Sequence, residues 1–180
     1  SYSWTVSHVE AFWKDLLDFD RRNPGDHVVN KDYFLGSIVV VRTDNNEHLL
    51  LDGQQRIATS TILVSVVRDH LSKYNVDAAK ALQMQFISII DYTDNVEKFK
   101  LTLNAYDRVY FRDKILRLQR REMEPTPSLA SHGAIKAAWK YLQSEVDAHY
   151  ISMEPEAAYK WCLRIQKILT NHVSVISVTS

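Results

Sequence analysis

Residues 49–71 decide how this chain folds, and their sequence is LLLDGQQRIATSTILVSVVRDHL. The three leucines are typical of the end of a strand, and Asp52-Gly53 is typical of a turn. The β-branched residues that follow favour a strand by propensity. Their run is longer than an ordinary strand, however, and its apolar positions do not alternate, so we predict a mostly buried helix over 54–74. A strand therefore runs into a helix through residues 52–56.

The flanking sequence predicts an α+β fold, with a small mixed sheet first and a helix-rich second half. Before the junction we predict a helix over 7–19, with Ser7 as N-cap and Glu10 as its capping-box partner. A hairpin with strands 34–41 and 47–51 follows. After the junction we predict a helix from 77 that gives way to a strand over 86–92, a half-buried strand over 98–103, helices over 106–121, 131–150 and 154–171, and a last strand over 173–178. In this prediction residues 1–75 form a core, and residues 76–180 form a helical extension packed into the same domain.

The composition is typical of a globular protein from a reducing compartment. The 180 residues are enough for one core. The 22 basic residues balance 22 acidic ones, so bulk charge gives no argument for nucleic-acid binding. A single cysteine, Cys162, cannot form an internal disulfide framework. The sequence has no apolar run long enough to span a membrane. We therefore predict a cytoplasmic protein that does not interact with membranes.

The junction at 52–56 has the chemistry of an anion site. A helix that starts directly after a strand directs its first N–H groups and the positive end of its dipole out of the turn, where phosphate commonly binds. Gly53 permits a close approach by a ligand, and the Arg56 guanidinium can form a bidentate contact with phosphate. Gln54 and Gln55 can donate to or accept from its oxygens. Asp52 can cap the helix, hold a divalent metal or act as a base.

Residues 52–56 are also similar to the DGQQR signature of a large, mostly bacterial family of domains of uncharacterised function. That family includes the N-terminal domain of GmrSD-type modification-dependent restriction endonucleases. Three further parts of the sequence resemble the family. Tyr2 and Trp4 resemble its opening aromatic pair, and residues 33–38 (YFLGSI) resemble its strand entry. Residues 101–104 (LTLN), with Asp107 and Phe111, resemble a later strand-and-helix element. The resemblance covers nearly the whole chain.

The resemblance implies a ParB/sulfiredoxin-type fold in which the signature binds nucleotide phosphates. It implies that residues 52–56 bind a nucleoside triphosphate or DNA phosphate, in a domain associated with nucleotide hydrolysis coupled to DNA cleavage. Hydrolysis would use Asp52 and Arg56 as catalytic residues, with a divalent cation (Mg²⁺ or Ca²⁺) at Asp52. Family members usually have a Gln-Arg pair at a position that precedes Ser1, and a C-terminal nuclease-type domain, often of His-Asn-His type. We therefore expect nucleotide and DNA as partners.

Segment 98–121 is a second candidate surface. It contains eight basic residues and two acidic ones, with Tyr106, Tyr110 and Phe111 among them. Such a strip can follow a nucleic-acid backbone by neutralising phosphates. The candidate DNA contacts are Arg117, Arg120 and Arg121. The alternative is a solvated helix face whose charge is balanced by the acidic helix near the N-terminus.

Three hypotheses for the function stay open. The first is a nucleotide-binding domain of a restriction-like DNA-processing protein, and the second is a non-catalytic DNA-binding or protein-interaction module. In the third, residues 52–56 are only a structural turn. Sulfiredoxin chemistry is excluded, because residues 52–56 contain no cysteine nucleophile. We expect Cys162 and the four tryptophans to be core residues.

Overall fold

The computed structural model describes residues 1–24, 37–42, 48–118, 125–171 and 174–179. For residues 37–42, 48–52, 155, 170, 171 and 174–179 it describes the backbone alone. Arg120, Arg121 and residues 33–36 of the family-like YFLGSI sequence lie outside the described residues, as does the side chain of Asp52.

The described chain contains both helices and strands, in an α+β arrangement. The elements are α1 (Val6–Arg22), β1 (Ser37–Arg42), β2 (His48–Asp52), α2 (Gln54–Leu71), α3 (Val76–Leu82), β3 (Ser88–Asp91), β4 (Val96–Phe99), α4 (Arg108–Phe111), α5 (Ala130–Tyr150), α6 (Pro155–Asn171) and β5 (Ser174–Thr179). Two short π-helical segments, Gln83–Ile87 and Arg112–Leu116, extend α3 and α4. The predicted α+β class, the long helix after the junction, the last two helices and the last strand are confirmed.

The larger sheet has three strands in the order β2-β1-β5. β1 and β2 are antiparallel, as the predicted hairpin requires, and Val40 pairs with Leu50. β5 lies parallel to β1, with Val39 opposite Ile176. A strand from the end of the chain therefore completes the sheet that leads into α2. A second sheet is the antiparallel hairpin β3-β4.

α2 is the central helix. It contacts α3, α5 and α6, and 12 of its 18 residues are buried. Burial on several sides explains the dense apolar sequence: Ile62 and Leu63 are fully buried, and each contributes about 1.5–3 kcal/mol by leaving water. Tertiary packing here overrides the strand propensity of Val64, Val66 and Val67.

The first helix begins earlier than predicted, and the predicted cap is wrong. Thr5 is the N-cap, and its partner is the His8 imidazole rather than a glutamate. The Thr5 amide donates to Nδ1 of His8 at 3.2 Å, and the Thr5 hydroxyl lies 2.9 Å from the same nitrogen. The spacing is that of a capping box, with imidazole in place of carboxylate. Glu10 instead pairs with Lys14 at 2.7 Å.

Two predicted elements in segment 98–121 are shorter than predicted. The strand predicted over 98–103 ends at Phe99, and the helix predicted over 106–121 is confined to 108–116. The helix starts late because the Asn104 side-chain oxygen accepts from the amides of Tyr106 (3.0 Å) and Asp107 (3.1 Å) and forms a turn there. Arg117 is already extended, with φ −70° and ψ 133°.

Cys162, Trp13, Trp139 and Trp161 are buried, as predicted, whereas Trp4 is half-buried. Burial raises the pKa of the Cys162 thiol to about 12, so this thiol is not a nucleophile near neutral pH. No helix in the described part of the chain combines the length and the apolar character needed to cross a bilayer.

Candidate phosphate-binding site

Gly53 links β2 to α2 in a left-handed conformation. Its φ is 83° and its ψ is 7°, and it is the N-cap of α2. Residues with a Cβ adopt this region at a cost, so glycine is the residue suited to the turn. An 18-residue helix thus begins one residue after a strand, and its first turn contains no acidic residue. The geometry directs the positive end of the α2 dipole at the turn.

The residues after Gly53 divide into two groups by their environment. Gln54 and Arg56 are exposed, and Gln55 is half-buried. The Gln55 side-chain oxygen accepts from the amides of Ser3 (2.9 Å) and Trp4 (3.3 Å), and its nitrogen donates to the carbonyl of Ser1 (3.0 Å). Gln55 therefore holds the segment 1–4, which we call the opening segment, against the start of α2. Phosphate binding by Gln55 remains a prediction.

Tyr2 anchors the opening segment in the core. Its side chain is buried, and its hydroxyl lies 2.8 Å from the Thr59 hydroxyl on α2. Burial raises the pKa of the Tyr2 hydroxyl to about 12. Trp4 stacks on His8, with ring centroids 5.9 Å apart and planes 17° apart. The two aromatic residues of the family-like opening pair therefore have different environments, one in the core and one at its edge.

Asp107 is a buried carboxylate beneath the opening segment. It accepts from the Tyr2 amide (3.1 Å), the Asn104 side-chain nitrogen (3.1 Å) and the Ser131 hydroxyl (2.5 Å). Burial acts to raise the pKa of Asp107, but the hydrogen bonds from Ser131, Tyr2 and Asn104 outweigh it, so the pKa lies below its ordinary value. The carboxylate joins the opening segment to the 104–107 turn and to α5.

A metal site cannot be built from the described side chains alone. No group of three or more His, Cys, Asp or Glu within them could hold an ion. The predicted metal ligand, Asp52, has its side chain outside the described residues. Its backbone ends β2, one residue before Gly53. The cation at Asp52 therefore remains a prediction.

The basic residues described between 98 and 118 do not form one free strip. Lys98 contacts Asp91, Arg112 and Arg117 both pair with Asp113 at 2.9 Å, and Lys114 is buried with its ammonium 4.4 Å from the Trp139 ring centroid. The ion pair with Asp113 engages Arg117, the one predicted DNA contact that the structure describes. DNA binding by Arg117 remains a prediction. Tyr110 and Phe111 are buried, and Tyr106 is exposed.

Two features of this region were not predicted from the sequence. The Thr5/His8 cap has the spacing of a capping box, and allowing imidazole at the third helical position would have identified it. Asn104 and Asp107 have the spacing of an Asx turn before a helix. That signal predicts the local turn, whereas the contact between Asp107 and Tyr2, 105 residues apart in sequence, has no local signature.

Comparison with known proteins identifies the family of this chain. The family model described as the N-terminal domain of GmrSD restriction endonuclease matches residues 1–179. No curated protein matches the chain. A match over nearly the full length establishes the family, and this chain belongs to the family of GmrSD restriction endonuclease N-terminal domains.

Proposed function

We propose that this chain is the nucleoside-triphosphate-binding domain of a restriction-like DNA-processing protein, with phosphate held at residues 52–56. The observation that carries the proposal is the left-handed Gly53 between β2 and α2. It places the start of a long helix directly after a strand, where backbone N–H groups and the helix dipole favour an anion. The exposed Arg56 side chain adds a positive charge within the first turn.

The family assignment supports the rest of the proposal. A domain described as the N-terminal part of a restriction endonuclease implies a DNA-processing protein with a separate C-terminal nuclease domain. We extend this to a ParB/sulfiredoxin-like core, to which β5 contributes through its pairing with β1. Nucleotide hydrolysis would place a divalent cation at Asp52 and use Arg56 to stabilise charge on the transferred phosphoryl group.

Titration of a labelled nucleoside triphosphate tests the proposal. A charge-assisted contact is worth about 1.5–3 kcal/mol, so Arg56→Ala should weaken binding roughly 10- to 150-fold. Arg21→Ala is the matched control, because Arg21 is an exposed helical arginine that pairs with Asp18. Equal affinity of the Arg56→Ala and Arg21→Ala proteins, or the absence of any nucleotide binding, would contradict the phosphate site.

A further inference from the structure

A positively charged face with an exposed aromatic ring lies beside the opening segment. We call it the loop face, and it consists of residues 100–109 and 125–131. Its cations are Arg108 and Lys100, whose ammonium donates to the Gln85 carbonyl, and its one acidic residue, Asp107, is fully buried. Residues 100–109 and 125–131 therefore present positive charge and no exposed carboxylate.

The two parts of the loop face are joined through His132. Its Nε2 donates to the carbonyl of Tyr106 at 3.0 Å, which leaves Nδ1 to accept from the Ser128 amide at 3.3 Å. The imidazole is buried and stacks on Tyr110, with ring centroids 4.4 Å apart. One buried ring thus holds residues 104–107 and residues 128–129 at a fixed separation.

Tyr106 stands on a rigid backbone but has an exposed side chain. Its amide donates to Asn104 and its carbonyl accepts from His132, so both of its backbone polar groups are engaged. Its side chain is nevertheless 74% exposed, and the exposed Val109 and Leu129 lie on the same loop face. A rigid aromatic side chain loses little conformational entropy on binding, which favours it as a ligand contact.

Arg108 differs from the other basic residues nearby. Lys98, Arg112 and Arg117 pair with carboxylates, and Lys114 is buried against Trp139. Arg108 is exposed, and the structure shows no ion pair for it with any described residue. Among the described residues, no carboxylate therefore offsets its charge.

We propose that the loop face binds an unstacked strand of DNA, with a base stacked on Tyr106 and a phosphate contacted by Arg108. Charge complementarity carries the choice of partner: an exposed aromatic ring two residues from an exposed arginine, with no exposed acid among residues 100–109 and 125–131, suits a polyanion with flat bases. The hairpin tip provides the contrast, because Tyr92 is 95% exposed there but follows Asp91 and is followed by Asp94. The inference rests on the proposed DNA partner and is independent of the phosphate site at residues 52–56.

Fluorescence anisotropy with a labelled single-stranded oligothymidine tests the proposal on the whole chain. Base stacking on an aromatic side chain is worth about 1–3 kcal/mol, so Tyr106→Ala should weaken binding roughly 5- to 150-fold. Tyr106→Phe should retain most of the affinity, and Tyr106→Leu, which keeps an apolar side chain, should lose as much as the alanine variant. Tyr92→Ala is the matched control and should bind like the wild type.

The salt dependence of binding tests the phosphate contact. We expect the slope of log K, the association constant for the oligonucleotide, against log salt to become shallower by about 0.7 in Arg108→Ala. This is the value for one phosphate on a single strand. The slope should stay unchanged in the control variant Lys160→Ala. Lys160 is an exposed cation that pairs with Glu156. If Tyr106→Ala and Arg108→Ala both bind the oligonucleotide like the wild type, the proposal is overturned. A loop face that docks a protein instead of DNA would give that result. Nucleotide titration of the same variants separates the two sites, because loss of oligonucleotide binding with unchanged nucleotide affinity supports the loop face alone.

Discussion

Gly53 occupies a turn that requires glycine, whereas Gly133 lies in a helix that does not. Its left-handed φ of 83° costs a residue with a Cβ about 1–2 kcal/mol, so Gly53→Ala should lower the free energy of unfolding by that amount. Gly133 in α5 is the matched control: a Cβ there meets no atom within 4 Å, and alanine should raise the free energy of unfolding by about 0.5–1 kcal/mol. Urea denaturation measures both variants. Equal effects would mean that backbone conformation does not distinguish the two glycines.

Asp107 should give the protein a distinct loss of stability in acid. Its pKa in the folded state lies below its ordinary value, so the folded state favours the carboxylate. The stabilisation is present above the unfolded pKa of about 3.9 and is lost as the pH falls towards the folded value. Asp107→Asn should lose about 1.5–3 kcal/mol near neutral pH and show a weaker pH dependence below about pH 4. Ser131→Ala, which removes one of the three hydrogen bonds, should lose less. An Asn variant with the stability and acid profile of the wild type would contradict this role.

At the scale of single residues, the sequence predicts the chemistry of a site better than the contacts that its side chains make. The residue types at 52–56 suggested an anion site, and the left-handed Gly53 agrees with a turn at that point. The side chains that Gln55 and Asp107 contact could not be predicted, because both bind the opening segment across 50 residues or more. Such contacts form between segments that are far apart in sequence, so no local spacing of residues predicts them.

Arg68 joins α2 to the two π-helical segments. Its fully buried guanidinium donates to the Gln83 side chain (2.7 Å) and to the carbonyls of Leu116 (2.9 Å) and Ile115 (3.1 Å), and it pairs with Asp69. Removal of one partner from a buried ionic network costs about 3–5 kcal/mol, so we expect that loss of unfolding free energy in Arg68→Met.

The control for Arg68 is Arg21→Met on α1. Arg21 is exposed and pairs with Asp18, and loss of such a surface pair costs about 0–1 kcal/mol. If Arg68→Met is too unstable to purify, Gln83→Ala tests the same network with a smaller change, because Gln83 also donates to the Leu116 carbonyl at 2.9 Å. Losses no larger than that of Arg21→Met would show that the network does not stabilise these elements.

At the scale of elements, long periodic segments were predictable and short ones were not. The helices α2, α5 and α6 have enough turns for their apolar positions to determine them. The alternating sequence KFKLTL was wrongly predicted as strand to its end, because β4 pairs with β3 only from Val96 to Phe99. The π-helical segments have no sequence signature here. The buried guanidinium of Arg68 binds the last carbonyls of one segment and the first side chain of the other, and so links both segments to α2.

At the scale of the molecule, both ends of the sequence support the candidate site. The opening segment lies against the start of α2 through Gln55, and β5 from the other end pairs with β1, the neighbour of β2. The turn at Gly53 is therefore held by segments that are more than 100 residues apart in sequence. Loop closure over such lengths costs entropy that only a shared core can offset. The α2 contacts with α3, α5 and α6 supply that core.

His70, where α2 meets the end of α5, should make the stability of the whole molecule depend on pH. Its imidazole is buried, packs at a tilt of 31° against the Tyr150 ring with centroids 4.7 Å apart, and contacts the Asp147 carboxylate. Burial lowers the pKa of His70, and the charges of Asp147 and Asp69 only partly offset this. The folded state therefore favours neutral imidazole, whereas the unfolded chain takes up a proton below about pH 6.5. Stability should be fully present above that pH and should fall as the pH drops through the window below it. Denaturation across this range should show the fall in the wild type and its absence in His70→Phe, while above the window both proteins should give flat profiles. An acid-side fall of the same size in both proteins would assign the pH dependence to other groups.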